Sequence, residues 1–133
     1  MVVVDSSVWI DFFSGAQRPG VGILRELLGH GEVRIVVPDL VLYEVLRGFR
    51  HERDHRQARV LMESLSIEDT GGAPLAMAAA DHYRSLRRAG VTVRSAIDVL
   101  IASFCIEQGY SLLHNDRDFD AFVELRGMHA WQH

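Results

Sequence analysis

Three consecutive valines followed at once by an acid, Val2-Val3-Val4-Asp5, constrain this chain more than any other stretch. β-branched side chains favour extended backbone. A run that is apolar at every position, rather than every second one, has no face to offer water. It reads as a strand buried on both faces, as in a parallel sheet covered by helices. Parallel strands need crossover connections, so the expected fold class is α/β. The acid then ends a buried strand, and ligands in open parallel sheets bind at the carboxyl ends of strands. A carboxylate in that position is poorly solvated and needs a partner.

The remaining sequence supplies the alternation of elements that such a sheet requires. Ser6 or Ser7 can cap a helix through Trp9 to Phe13, which Gly15 ends. A second helix is expected over 21–28, closed by Gly29 and Gly31, then a strand over 33–37 stopped by Pro38. Asp39 can cap a helix from Leu40 to about Arg50, closing near Gly48. Apolar positions at Ala58, Val60, Leu61, Met62 and Leu65 predict a helix over 54–65, and 66–68 reads as a short strand. Gly71-Gly72 interrupts the chain, and Pro74 suits the first turn of a helix over 75–89 ended by Gly90. Ser95 opens a helix over 96–108 ended by Gly109. A strand over 111–114, a polar turn, a short helix near 119–125 and a small strand over 128–131 follow. With 133 residues, no internal repeat and no linker, the chain is expected to form one domain, 1–133.

Composition removes several classes of function. The single cysteine, Cys105, lies in an apolar run and reads as a core residue rather than a nucleophile. It can form no internal disulfide, which fits a reducing, cytoplasmic setting. No apolar run approaches the roughly 20 residues that span a membrane, and the N-terminus lacks a basic leader. A net charge of −4 argues against non-specific duplex binding. All 14 cationic side chains are arginine, whose fork grips phosphate in a bidentate way that lysine does not. The seven histidines are scattered. One cysteine cannot build a structural zinc site. His51 and His55 are four apart but sit in an arginine-rich stretch that reads as a solvated basic face. The glycines form neither a phosphate-binding loop nor a dinucleotide fingerprint.

The acids carry the remaining chemistry, and each has an ordinary structural account. Asp5 can cap the helix that follows it. Glu44, in Leu40-Val41-Leu42-Tyr43-Glu44-Val45-Leu46-Arg47, can pair with Arg47 or Arg50. Asp98 completes a Ser-x-x-Asp pattern with Ser95 that resembles a capping box. Asp116, Asp118 and Asp120 alternate as in half of a calcium loop, but the glycine and the final glutamate are missing, so an EF-hand is excluded. A turn with a helix cap is the simpler reading there.

Taken together and in order, these segments say more. A first strand ending Asp-Ser-Ser, then Tyr-Glu-Val-Leu-Arg-Gly, then Ala-Ile-Asp-Val-Leu-Ile-Ala, then Leu-Leu-His-Asn-Asp-Arg-Asp-Phe resemble the PIN-domain ribonucleases, in detail the VapC-type toxins of toxin–antitoxin pairs. The resemblance runs from Val2 to about Phe122. It implies a three-layer α/β sandwich with a mostly parallel central sheet flanked by helices. It implies a Mg2+- or Mn2+-dependent endoribonuclease with Asp5, Glu44, Asp98 and Asp116 as catalytic acids. Asp5, Asp98 and Asp116 would hold the metal, directly or through water. Glu44 would orient the attacking water or a second ion. Asp118 matches a further acid of the family and Ser7 a small residue supporting the first aspartate. His114 stands where the family often has threonine. The resemblance further implies an RNA substrate, a cognate antitoxin and a homodimer, with no membrane association.

The donor chemistry agrees, because hard divalent cations want oxygen ligands and converging carboxylates raise one another's pKa unless a cation is present. For gripping RNA, Arg47 and Arg94 lie nearest in sequence to the acids and are the first candidates, although a solvated helix face accounts for them equally. Trp9, Phe12, Phe13, Val41, Leu42 and Leu46 exceed what one small core clearly needs, and some can line a groove for an antitoxin helix or a second copy. A haloacid-dehalogenase-type phosphatase would also place an acid at the end of its first strand, but it wants a second one where this chain has Ser7. A receiver-like phosphoryl pocket wants a lysine, and the chain has none. A PIN fold serving mainly as a partner-binding module is the remaining alternative.

Overall fold

A computed structural model describes residues 1–131. Five strands, β1 (Val2–Val4), β2 (Ile35–Pro38), β3 (Ser66–Glu68), β4 (Ser111–Leu113) and β5 (His129–Ala130), form one sheet in the order β3-β2-β1-β4-β5. Every pairing between them is parallel. The three valines of β1 occupy the middle strand and have no exposed surface, as an unalternating apolar run requires. β1 pairs with β2 on one side and β4 on the other, so the strand order reverses at the β1–β4 junction.

The helices are α1 (Ser6–Ser14), α2 (Pro19–His30), α3 (Asp39–Leu46), α4 (Glu52–Glu63), α5 (Gly72–Arg88), α6 (Ala96–Gln108) and α7 (Asp120–Arg126), with a 3-10 turn over Arg117–Phe119. Successive crossovers from β1 to β2 to β3 move one way across the sheet, and those through β4 to β5 move the other. Right-handed crossovers therefore place α1–α4 on one face and α5–α7 on the opposite one. The packing agrees, with α1 against α2 and α3, α3 against α4, and α5 against α6 and α7. The result is the expected three-layer sandwich. No helix among the described residues is long and apolar enough to cross a membrane.

Several boundaries differ from expectation for identifiable reasons. Asp5, not Ser6 or Ser7, caps α1, and the two serines are its first residues. Pro19 starts α2 two residues early, its fixed φ suiting a first helical position, and the helix runs through Gly29 to a left-handed Gly31. Pro38 lies inside β2 in register with Glu68 and also occupies the cap position of α3. Asp39 is therefore inside the helix, its carboxylate accepting from the Leu40 N–H at 2.8 Å. That helix stops at Leu46, short of Arg50. α6 begins after Ser95 and ends at Gly109 as expected.

Trp9, Phe104, Phe119 and Phe122 are the largest buried side chains. Trp9 and Val41 therefore belong to the core rather than to a groove, with Phe12, Phe13 and Leu42 half-buried against it. Phe13 also joins Ile10, Val45 and Phe49 around an apolar cavity of about 250 Å3. Cys105 is buried. Burial first, then the Asp5 carboxylate, push its thiol well up, as expected of an inert core residue.

On the opposite layer, buried His82 ties three helices together. The Arg126 Nε–H donates to His82 Nδ1 at 2.9 Å, so Nε2 carries the ring proton and faces Glu107 Oε2 at 3.2 Å. Arg126 also donates to Ser85 Oγ at 3.0 Å. Replacing Arg126 by Ala leaves a buried acceptor unmatched. The expected loss is about 1–3 kcal/mol of unfolding free energy, read by urea denaturation. An unchanged midpoint would show that the network does not support the docking of α7.

Candidate active site

The end of β1 places Asp5 where two demands meet. Its backbone N–H donates to the Leu113 carbonyl at 2.9 Å, tying the strand end to β4. Its carboxylate caps α1, Oδ2 accepting from the Ser7 N–H at 3.3 Å and from the Ser7 hydroxyl at 2.5 Å. Ser7 thus holds the Asp5 carboxylate through both its backbone and its hydroxyl. Only 5% of Asp5 is exposed. Burial raises its carboxyl above the ordinary range, the Ser7 bonds oppose this, and Glu44 adds to it.

Glu44 reaches the site from α3. The Ser6 hydroxyl donates to Glu44 Oε1 at 2.6 Å, joining the first turn of α1 to α3. Among the described residues Glu44 makes no ion pair with Arg47 or Arg50. Arg47 lies over the Tyr43 ring instead, 5.3 Å from its centroid.

Asp98 projects from the first turn of α6, on the other layer. Half of the expected box is present: Ser95 Oγ accepts from the Asp98 N–H at 3.3 Å. No reciprocal bond from the carboxylate back to Ser95 occurs among the described residues. That carboxyl is pushed up to about 7. Desolvation is the largest cause, followed by the charges of Asp5, Glu44, Asp116 and Asp118. Four carboxylates from three other segments therefore act on Asp98.

Asp116 caps the 3-10 turn, its Oδ1 accepting from the Asp118 N–H at 2.9 Å. The capping account is correct, yet both residues also line an open cleft of about 400 Å3 with Ser7. Asp11, Arg18, Asn115 and Arg117 complete its walls. Sequence reasoning did not single these out. Asp11 stands four residues after Ser7, a spacing that puts the two on one helix face, and this was the available signal. Nothing local marks Arg18, which comes to the cleft from the start of α2. Arg94 lines a shallow cavity with Tyr83, Ala96 and Val99. The His114 ring tilts against Phe119, 5.0 Å between centroids.

The donor set is oxygen only and acidic, which suits a hard divalent cation. Among the described residues no group of three His, Cys, Asp or Glu stands close enough to enclose a metal ion.

Comparison with known proteins agrees with this architecture. The PIN domain profile matches residues 2–125. Ribonuclease VapC11 of Mycobacterium tuberculosis is 32% identical over 130 residues, covering 98% of this chain and 97% of the relative. Among solved structures, DNA-bound VapBC from Salmonella typhimurium superposes with a TM-score of 0.79 at 18% identity, covering 98% of this chain and 96% of the other. VapBC2 from Rickettsia felis, bound to a promoter DNA fragment, gives 0.76 at 17%, covering 99% and 100%. Fold and sequence likeness thus agree over nearly the whole length, and this chain belongs to the PIN domain family, among its VapC-type members.

Proposed function

We propose that the chain is a Mg2+- or Mn2+-dependent endoribonuclease acting as the toxin of a toxin–antitoxin pair in the cytoplasm. The observation that carries this reading is the Asp98 carboxyl, pushed up to about 7 in a field of four other carboxylates. Acids so arranged destabilise one another unless a cation is bound. The relative named as a ribonuclease and the VapBC complexes of the same fold support the substrate class and the antitoxin partner.

Asp5, Asp98 and Asp116 would hold the cation, directly or through its waters, and Asp118 would tune the site's charge. The cation supplies Lewis-acid polarisation of a phosphate oxygen and a lowered pKa for a water. Glu44, fixed by Ser6, orients the attacking water for in-line approach to phosphorus. A bond would form between that water oxygen and phosphorus as the bond to the leaving ribose oxygen breaks, the proton lost by the water passing through solvent to that leaving oxygen. Ser7 keeps the innermost carboxylate in one rotamer. A phosphatase of the haloacid-dehalogenase type would need an acid at that position, and the Ser7 hydroxyl is instead committed to Asp5. The apolar cavity around Phe13 and Phe49 suits an antitoxin helix, and a homodimer is part of the same reading.

Asp5→Asn should abolish cleavage of a labelled oligoribonucleotide with Mn2+, a drop of at least about 100-fold. Folding should survive by circular dichroism, since asparagine caps helices about as well as aspartate. Chelator should silence the wild type and Mn2+ restore it. Full activity in Asp5→Asn, or in chelator, would overturn the assignment.

The raised Asp98 pKa also sets a pH dependence for the metal-free protein. Its folded value of about 7 lies above the ordinary 3.8, so between these limits the folded chain holds a proton that the unfolded chain has lost. Stability is therefore highest at the acid side and declines as pH rises through 7. Thermal melts in chelator at pH 5 and pH 8 should differ by less in Asp98→Asn than in wild type. Saturating Mg2+ should remove the wild-type decline. An identical pH response in the two proteins would sink this account of the cluster.

A further inference from the structure

We propose that Arg18 is a phosphate-binding residue of the acidic cleft, taking a phosphodiester of single-stranded RNA that flanks the scissile one; this rests on the ribonuclease reading above. Arg18 lines the cleft together with Ser7, Asp116 and Asp118. Its Nε stands 3.5 Å from Asp11 Oδ2, and its side chain is 67% exposed. An ion pair this open to water adds little to stability. The fold alone therefore does not account for a guanidinium held at the rim of the acids.

The chemistry does. A guanidinium carries five N–H donors, and the Asp11 contact at Nε leaves both terminal amino groups for a further acceptor. A polyanion approaching this cleft meets carboxylates that repel it. A fork that takes two phosphate oxygens at once offsets that repulsion and fixes where the backbone lies. Arg117 lines the same cleft and adds to the positive charge.

The position of Arg18 is built into the packing. Pro19 opens α2 and restricts the residue before it, and Arg18 is extended, with φ −117° and ψ 157°. Gly20, in the first turn of α2, approaches the loop that bears Asp116 so closely that a Cβ would stand 2.8 Å from Asn115 Nδ2. The same Cβ would meet Val8 Cγ1 at 3.2 Å. A glycine thus lets the start of α2 press against that loop and carries Arg18 to the cleft. Arg25, exposed on the same helix, does not line it. Arg84, Arg87 and Arg88 border a separate cavity.

The test uses the full chain with Asp5→Asn, so that RNA is bound and not cut. Binding of a fluorescein-labelled single-stranded oligoribonucleotide is followed by anisotropy across a salt series. Arg18→Ala should weaken binding about tenfold at about 100 mM salt and lower the salt slope by about one. Arg25→Ala, with the same change in net charge, should stay within about twofold, and Arg18→Lys should recover only part of the loss. Equal losses at Arg18 and Arg25, or none at Arg18, would overturn the proposal. Wild-type cleavage with Mn2+ is scored separately. Cleavage without an Arg18 effect sinks only the subsite, whereas RNA binding lost in Arg18→Ala without any cleavage by the wild type sinks only the nuclease reading. No RNA binding at all sinks both.

Discussion

The parallel pairing of β1 with β4 is the interaction on which the rest of the molecule depends. It sets a fully buried valine strand at the middle of the sheet and ends it on an acid. The Asp5 N–H, bonded to Leu113, continues that pairing one residue past the strand and holds the carboxylate beside the loop that leads to Asp116. Burying a carboxylate is costly unless it is hydrogen-bonded. The Ser7 N–H and hydroxyl meet that need, and in doing so start α1. One side chain therefore terminates a strand, begins a helix and anchors the site. This is why the helix cap and the functional role proposed for Asp5 are not alternatives.

The same double duty recurs around the cleft. Asp116 caps a turn and faces the cleft. Ser95 caps α6 through the Asp98 backbone and leaves the carboxylate to the cluster. Glu44, which had an adequate ion-pair account, is held by Ser6 from a neighbouring helix. The acids come from the end of β1, from α3 on one face, from α6 on the other and from the loop after β4. No single element contains the site, and it is formed only where the two layers meet at the reversal of strand order.

What was legible in the sequence was whatever local chemistry dictates. The unalternating valines announced a parallel sheet, and Ser95 and Gly109 bracketed α6 to the residue. Resemblance to a family picked out the acids, because each alone had a complete structural explanation. The failures were of another kind. Asp5 won the capping position over Ser6 and Ser7 because its carboxylate reaches the N–H two residues on. Asp39 lost its expected cap to Pro38, whose strand register is set by Glu68 across the sheet. The Ser6–Glu44 bond spans 38 residues, and Arg18 is brought in by the approach of Gly20 to Asn115. Contacts set by tertiary packing leave no periodicity to read.

The strand order also imposes a sequence of events on synthesis. β1, β2 and β3 leave the ribosome first and can pair in order, but the slot on the far side of β1 stays open until β4 is made. Until then Asp5 lacks its Leu113 tether, and Asp98 and Asp116 have no sheet edge against which to be placed. Synthesis therefore supplies every residue around the apolar cavity at Phe13 and Phe49, which draws only on α1, α3, α4 and the residues between the last two, before it supplies Asp98 and Asp116. The residues of the apolar surface are all in the chain while the charged cleft still lacks half of its acids.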